Sequence, residues 1–384
     1  MSDELLRLST WRALEALPPD FPLGVHPDDE MLRFLAAAPH LRRGRAGLLY
    51  LRSGQEAADA LARTLAACER PLADLPQSAA LLEFACGFGR VTRHLARRVG
   101  RARLFSCDVV PAAVDHVAAA FGVRSFLSNA DPDAIAWPRQ FDVIFVASLF
   151  SHLSRHRFEA WLRRLRDGLT SDGLLVISTH GRGLPIAPAA DGGDFAFVPA
   201  SESSQFAPDE YGSTFVAPEL VARLARAAGF VDVRWRERGL WSLQDLFVAS
   251  PVRPLPAQFP AAPLLDGAID AIEVDRTHAY WLRGWVSSRS EDGPAARAVF
   301  HVDGRPVTAA TLHDPEERVD GAGVRRLLRE WHLLGVVPSG VQGRHTVALM
   351  AHPSDGTASC VDVRTIEPGA AAPRFVDDDL PRAE

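Results

Sequence analysis

Leu81-Leu-Glu-Phe-Ala-Cys-Gly-Phe-Gly-Arg-Val91 is the stretch that decides the fold. Its first half is apolar and strand-sized, Gly87 and Gly89 break it, and residues 91–99 resume with the spacing of an amphipathic helix. Glycines let a backbone approach a ligand closely, and the start of a helix offers N–H groups without intrahelical partners. Any doubly wound protein can hold such a turn, but two residues narrow its use. A dinucleotide fingerprint calls for a further Gly or Ala at position 92, where Thr92 stands. Glu83 lies on the approach to the loop, where a carboxylate repels a pyrophosphate and favours a cation. A P-loop is excluded, because no Gly-Lys-Ser or Gly-Lys-Thr follows the glycines.

On either side of this turn the texture is regular. Residues 103–109, 123–127, 141–148 and 174–179 read as strands, with helices at 112–121 and 155–169 between them. A helix over 218–228 and strands at 231–236 and 243–249 follow, the last two joined without a helix and therefore an antiparallel edge pair. Alternation of this kind implies βαβ units and a mostly parallel sheet. Asp108 closes the second strand. An acid there can accept hydrogen bonds from ribose hydroxyls, and it can equally cap the helix that begins near Pro111.

Residues 46–250 resemble the class I, Rossmann-like S-adenosylmethionine-dependent methyltransferases. The likeness rests on Glu83 to Gly89, on Asp108, on residues 141–148 and 150–153, and on 161–179, where Gly173 stands in the family's Pro-Gly-Gly turn. It implies a seven-stranded sheet with one antiparallel strand and S-adenosyl-L-methionine as cofactor. Glu83, Ala85, Gly87 and Gly89 would hold the methionine end, Asp108 with Val109 the ribose, and Asn129, Ala130 and Asp131 the adenine. Ser148 would lie under the sulfonium, and Arg52 in the segment 50–54 would reach the methionine carboxylate. Ala85 replaces the family's usual first glycine, which is acceptable if its φ is negative.

Methyl transfer to a hydroxyl or amine needs in-line positioning and a group that removes a proton. His152 and His180, at the carboxyl ends of the fourth and fifth strands, are the candidates, with His156 and Tyr211 behind them; each also reads as an ordinary polar loop residue. No compact His/Asp/Glu set suggests a metal.

At 384 residues the chain exceeds one hydrophobic core. The expected organisation is a helical segment at 1–75, a cofactor-binding domain at 76–250, a proline-rich linker at 251–263, a β-sandwich at 264–367 and an unpacked tail at 368–384. The span 181–211 reads as a long loop, either a lid over substrate or a surface loop. A net charge of -6 argues against nucleic acid, and arginine clusters such as 42–45 read as solvated helix faces. Four scattered cysteines, no signal-peptide pattern and no membrane-length apolar run suit a cytoplasmic protein.

The β region carries Trp281, Trp285 and Trp331, which read first as core. Its pattern loosely resembles the small β domains appended to enzymes of surface-glycan synthesis, which implies a saccharide acceptor. The competing readings are a methyltransferase of another small metabolite, with the β region serving homo-oligomerisation, and a silent glycan-binding or scaffold protein. Intact Gly87, Gly89 and Asp108 count against the last.

Overall fold

The computed structural model describes residues 2–38, 44–184, 186–188, 193–199, 211–257, 265–274, 280–289, 293–320, 323, 325–335, 344–354, 358–367 and 374–375. Two compact units emerge: Met1–Val25, Met31–Leu51 and Pro263–Glu384 form one, His26–Glu30 and Arg52–Ala262 the other. Three helices open the chain, α1 (Asp3–Leu14), α2 (Glu30–Ala37) and α3 (Ala46–Ala67).

In the second unit β1 (Leu81–Phe84), β2 (Leu104–Asp108), β3 (Arg124–Leu127), β4 (Phe141–Val146) and β5 (Leu169–Gly181) run parallel in the order β3-β2-β1-β4-β5. The crossovers carry α4 (Thr92–Val99), α5 (Pro111–Phe121) and α6 (Arg155–Gly168). Pro111 opens α5 with a φ already helical, and Gly122 closes it in the left-handed region. Every residue of β1 and β2 is buried, because helices cover both faces of the sheet. Phe84, Ile144, Phe158 and Trp161 pack on one side, and Leu61, Leu81, Leu95 and Val143 on the other.

Beyond β5 come β6 (Phe195–Val198), β7 (Ser213–Val216), α7 (Pro218–Ala227), β8 (Asp232–Leu240) and β9 (Gln244–Ser250). β9 lies antiparallel to both β5 and β8, so β8 takes the edge. Among the described residues the sheet has nine strands where the resemblance implied seven: β6 and β7 are an added antiparallel pair. Phe195–Val198 falls inside the span read as a loop. Four residues of apolar sequence between Gly- and Pro-rich stretches are too few to announce a strand, and pairing with β7 creates it. The rest of that span, at 185, 189–192 and 200–210, lies outside the described residues, as do 258–263 of the expected linker.

β5 outruns its neighbour. β4 pairs with it only as far as Ile177, while His180 pairs with Gln244 of β9 on one edge and with Phe215 of β7 on the other. β7 thus occupies the edge that β4 has left, and His180 is clamped between two strands at the carboxyl end of the sheet.

The first unit is built on β10 (Asp266–Val274), β11 (Tyr280–Arg289), β12 (Arg297–Val302), β13 (Arg305–Ala309), β14 (Thr311–Leu312), β15 (Glu316–Val319), β16 (Arg325–Gly335), β17 (His345–His352), β18 (Ser359–Glu367) and β19 (Arg374–Phe375). They form two five-stranded antiparallel sheets, β10-β11-β16 with β14 and β15, and β13-β12-β17-β18-β19. Ile269, Val286 and Trp331 of one meet Phe300, Leu349 and Val361 of the other in a shared core. The run Val347 to Ala351 is apolar without alternation because its second face is covered too. There Ala348 and Met350 join Leu8 and Trp11 of α1. The helix is fastened by Thr10 to Thr346 (3.0 Å) and by Glu15, whose carboxylate accepts from the Cys360 amide (2.6 Å). Trp331 is a core residue and Trp285 is half-buried; the Trp281 side chain and the tail outside 374–375 lie outside the described residues.

Candidate active site

Glu83 is the last residue but one of β1 and is almost fully buried. Burial pushes its carboxyl up to about 8, against the pull of Thr92 and Arg90, and Oε2 has no hydrogen-bond partner. An unpaired buried carboxylate oxygen is costly, so the site is chemically incomplete without a donor. Asp108, at the end of β2, accepts from the Gly87 amide on Oδ2 (2.8 Å) and from the Val110 amide on Oδ1 (3.0 Å). Burial raises its pKa while these amides and that of Val109 oppose the rise. Asp108 thereby does both things its position allowed: it grips the glycine loop and caps the start of α5.

The two loop glycines are glycine for different reasons. Gly87 has φ +52, and a Cβ there would meet nothing within 4 Å, so the backbone faces open space. Gly89 has φ +84, and a Cβ would lie 2.2 Å from the Phe121 ring. Its amide bonds to the Cys86 carbonyl at 3.1 Å, so Gly89 serves the packing of loop on α5. Ala85 corrects an expectation, because its φ is +57, not negative. An alanine held in the left-handed region stores about 1 kcal/mol. Ala85→Gly should therefore raise the melting temperature by a few degrees; a lower one would show that the strain is not there.

Asn129, Ala130 and Asp131 form an exposed turn after β3, in which Asn129 Oδ1 accepts from the Asp131 amide (2.9 Å) and Arg157 holds the Ala130 carbonyl (3.1 Å). Arg52 is buried on α3 and pairs with Glu56 at 3.7 Å. One residue on, Ser53 accepts from Arg90 (3.0 Å), whose guanidinium lies over Trp241 (4.3 Å), and Trp241 donates to the Ser53 carbonyl (2.8 Å). Ser53 therefore touches Arg90 at the end of the glycine loop. Phe88 of the loop stacks on His26 (4.4 Å, 11°), and His116 of α5 meets His26 at 4.9 Å. Nothing local in the sequence ties residue 26 to residue 88.

Across the sheet, Ser148 follows β4 with φ +72 and is tied at both ends. Its amide donates to Ser178 Oγ (2.8 Å) and its hydroxyl accepts from Gln244 Nε2 (2.8 Å). His152 stacks on Tyr211 (4.6 Å, 11°), with Nδ1 2.9 Å from the Gly212 carbonyl. A carbonyl only accepts, so the neutral ring carries its proton on Nδ1 and its lone pair on Nε2. His180 lies 6.3 Å from His152, ring to ring, and stacks on Phe215 at 5.4 Å. Burial, with His152 nearby, lowers its pKa to about 4. The two histidines thus share one end of the sheet. His156 lies exposed in the first turn of α6, away from this pair. Gln244, which the sequence did not single out, is brought here by strand pairing with His180, while Ser151 arrives through the turn that follows Ser148.

Among the described residues no three or more His, Cys, Asp or Glu could hold a metal ion, and no helix is long and apolar enough to cross a membrane.

A protein-family profile described as a methyltransferase domain matches residues 81–173. A comparison with curated proteins found no match. Among solved structures, a TehB-like SAM-dependent methyltransferase from Corynebacterium glutamicum is 17% identical, with 56% of this chain and 92% of that one covered and a TM-score of 0.33. The 1,6-didemethyltoxoflavin-N1-methyltransferase of Burkholderia thailandensis, solved with 1,6-didemethyltoxoflavin and S-adenosylhomocysteine, is 21% identical over 51% of this chain and 77% of that one, at a TM-score of 0.36. The N-terminal domain of EvdMO1, solved in the presence of S-adenosylhomocysteine and D-fucose, is 21% identical over 52% and 84%, also at 0.36. The matched segment, about a quarter of the chain, holds the glycine loop, Asp108 and His152.

Proposed function

We propose that this chain is an S-adenosylmethionine-dependent methyltransferase that acts on a hydroxyl or amine of a small molecule, and that a saccharide is the acceptor class to try first. The observation that carries the reading is the placement of two differently equipped groups along the one carboxyl edge of the parallel strands. At β1 and β2, a buried carboxyl (Glu83) with an unpartnered oxygen stands beside an open backbone (Gly87) held by Asp108. At β4 and β5, a pair of histidines lies among Tyr211 and Phe215. Ligands of doubly wound sheets bind at these carboxyl ends.

The residues fit the cofactor. Glu83 Oε2 would take the α-ammonium of its methionine part, Gly87 would let the chain pass, and Asp108 keeps lone pairs for the ribose hydroxyls. Ala85, Gly89 and Val109 would shape this wall, the turn Asn129–Ala130–Asp131 would border the adenine, and Ser148 would lie beneath the sulfonium. Arg52 would face the methionine carboxylate. The cofactor, when bound, supplies an electrophilic methyl group. The protein must orient the acceptor, exclude water and take up one proton, which falls to His152 or His180. A cytoplasmic, reducing setting suits four buried cysteines that form no disulfide.

Calorimetry with S-adenosylmethionine and S-adenosylhomocysteine tests the cofactor site, and a screen of nucleotide sugars, oligosaccharides and other small metabolites tests the acceptor. With a working acceptor, His152→Ala or His180→Ala should lower turnover by about 100-fold or more while cofactor Kd stays within a few-fold. Unchanged turnover in both variants would remove the pair from the mechanism.

A further inference from the structure

Between the two ends of the site lies a buried chain of neutral polar groups whose directions are fixed by donor and acceptor chemistry. The Ser148 amide can only donate, so Ser178 Oγ accepts it at 2.8 Å. The Ser178 hydroxyl proton then goes to Gln244 Oε1 at 2.6 Å. That bond sets the amide's orientation: Nε2 faces Ser148 Oγ at 2.8 Å and His180 Nε2 at 3.4 Å, with Ser151 Oγ also at 3.4 Å. An amide NH2 has no lone pair to offer, so one of its two hydrogens serves Ser148 Oγ and the other points toward Ser151 Oγ and His180 Nε2, where the ring nitrogen is placed to accept.

We propose that Gln244 is a positioning residue that fixes His180 as a neutral imidazole with its proton on Nδ1, and couples that ring to the cofactor side of the site through Ser148. The proposal rests on the cofactor site described above. Its consequence is a division of labour: His180 enters the reaction as a fixed hydrogen-bonding wall, and the acceptor's proton goes to His152. Burial keeps the His180 ring uncharged, outweighing the Thr214 backbone, which by itself favours the protonated ring. The groups facing it are, from β7, the Phe215 ring and the Thr214 backbone, and from β9 the Gln244 amide. Among the described residues the titratable neighbour acting on it is His152, which opposes a positive charge. Asp245, the next residue on β9, turns its carboxylate to the Arg238 amide (2.7 Å) and to Gly181 instead.

The test is long-range proton–nitrogen NMR of the full chain labelled at histidine nitrogens, with ring assignments from His152→Gln and His180→Gln. His180 should show the Nδ1–H tautomer and remain neutral down to about pH 5. In Gln244→Glu, an isosteric change, the new carboxylate can only accept. The His180 proton should therefore move to Nε2 and its titration midpoint rise by more than one pH unit. Saturating S-adenosylhomocysteine should shift the His180 ring nitrogens in the wild type and leave them unmoved in Gln244→Leu. An Nε2–H tautomer in the wild type, or no tautomer change in Gln244→Glu, overturns the proposal. So does a cofactor-induced shift that survives in Gln244→Leu. Should Gln244→Glu fail to fold, the wild-type tautomer alone still decides. Calorimetric absence of S-adenosylhomocysteine binding would instead overturn the cofactor site, so the two failures are distinct.

Discussion

Asp108→Ala should weaken S-adenosylmethionine binding by about 100-fold or more, the largest loss expected from a single change in this chain. The carboxylate accepts from two backbone amides, those of Gly87 and Val110, in a position only 8% exposed. Truncation leaves both amides without their acceptor, at about 1–3 kcal/mol each. The glycine loop then loses the bond that aims Gly87, and the ribose loses its acceptor, so binding and stability should fall together. Asp108→Asn separates the two contributions. It keeps the shape and one acceptor but turns an NH2 toward an amide that can only donate. It should fall between wild type and Asp108→Ala in both melting temperature and Kd. An Asp108→Ala chain that binds within threefold of wild type would show that the acid is only a helix cap.

This residue also shows how much of the site could be read in advance. Glu83, Asp108 and the glycine turn are local features: they follow strand ends by a fixed number of residues, and the parallel alternation around them brings β1 beside β2. Helix and strand signals there agree with the packing, because both faces of the sheet demand apolar side chains. Where structure depends on distant pairing, the signal vanished. Arg325–Gly335 has leucines at 327, 328, 333 and 334, spacing that a helix would also accept, yet it is a strand paired to β11 at ten successive positions. Gln244 gave no hint at all, being polar at the start of a strand; register with His180 gives it a place. The covering of β17 and β18 by α1 joins residues more than 330 apart, beyond the reach of periodicity. The sign of φ at Ala85 failed for another reason. Alanine is ordinary almost everywhere, and only the tight turn between Phe84 and Cys86 forces it across zero.

Glu83 should give up a proton when the cofactor binds, and the release should be visible as heat. Its carboxyl is pushed from its ordinary 4.5 up to about 8 by burial. In the free protein at pH 6.5 it is therefore protonated, whereas in the unfolded chain it is ionised. The folded state binds the extra proton, so this group's contribution to stability is full below about pH 4.5. It is lost as pH rises toward 8, at no more than about 1.4 kcal/mol per pH unit. A cationic ammonium beside Oε2 reverses the preference, since an opposite charge nearby favours the carboxylate. Binding at pH 6.5 should then release close to one proton. The observed enthalpy should differ between phosphate and Tris buffers by nearly the difference in their ionisation enthalpies. Glu83→Gln keeps the volume but cannot ionise. It should abolish the buffer dependence, flatten the fall in stability between pH 5 and 8, and weaken binding by about tenfold or more. Heat that is the same in both buffers for the wild type would mean that the carboxyl stays protonated in the complex. In that case Glu83 meets the cofactor as a neutral hydrogen-bonding group, and the charge of the ammonium must be answered elsewhere.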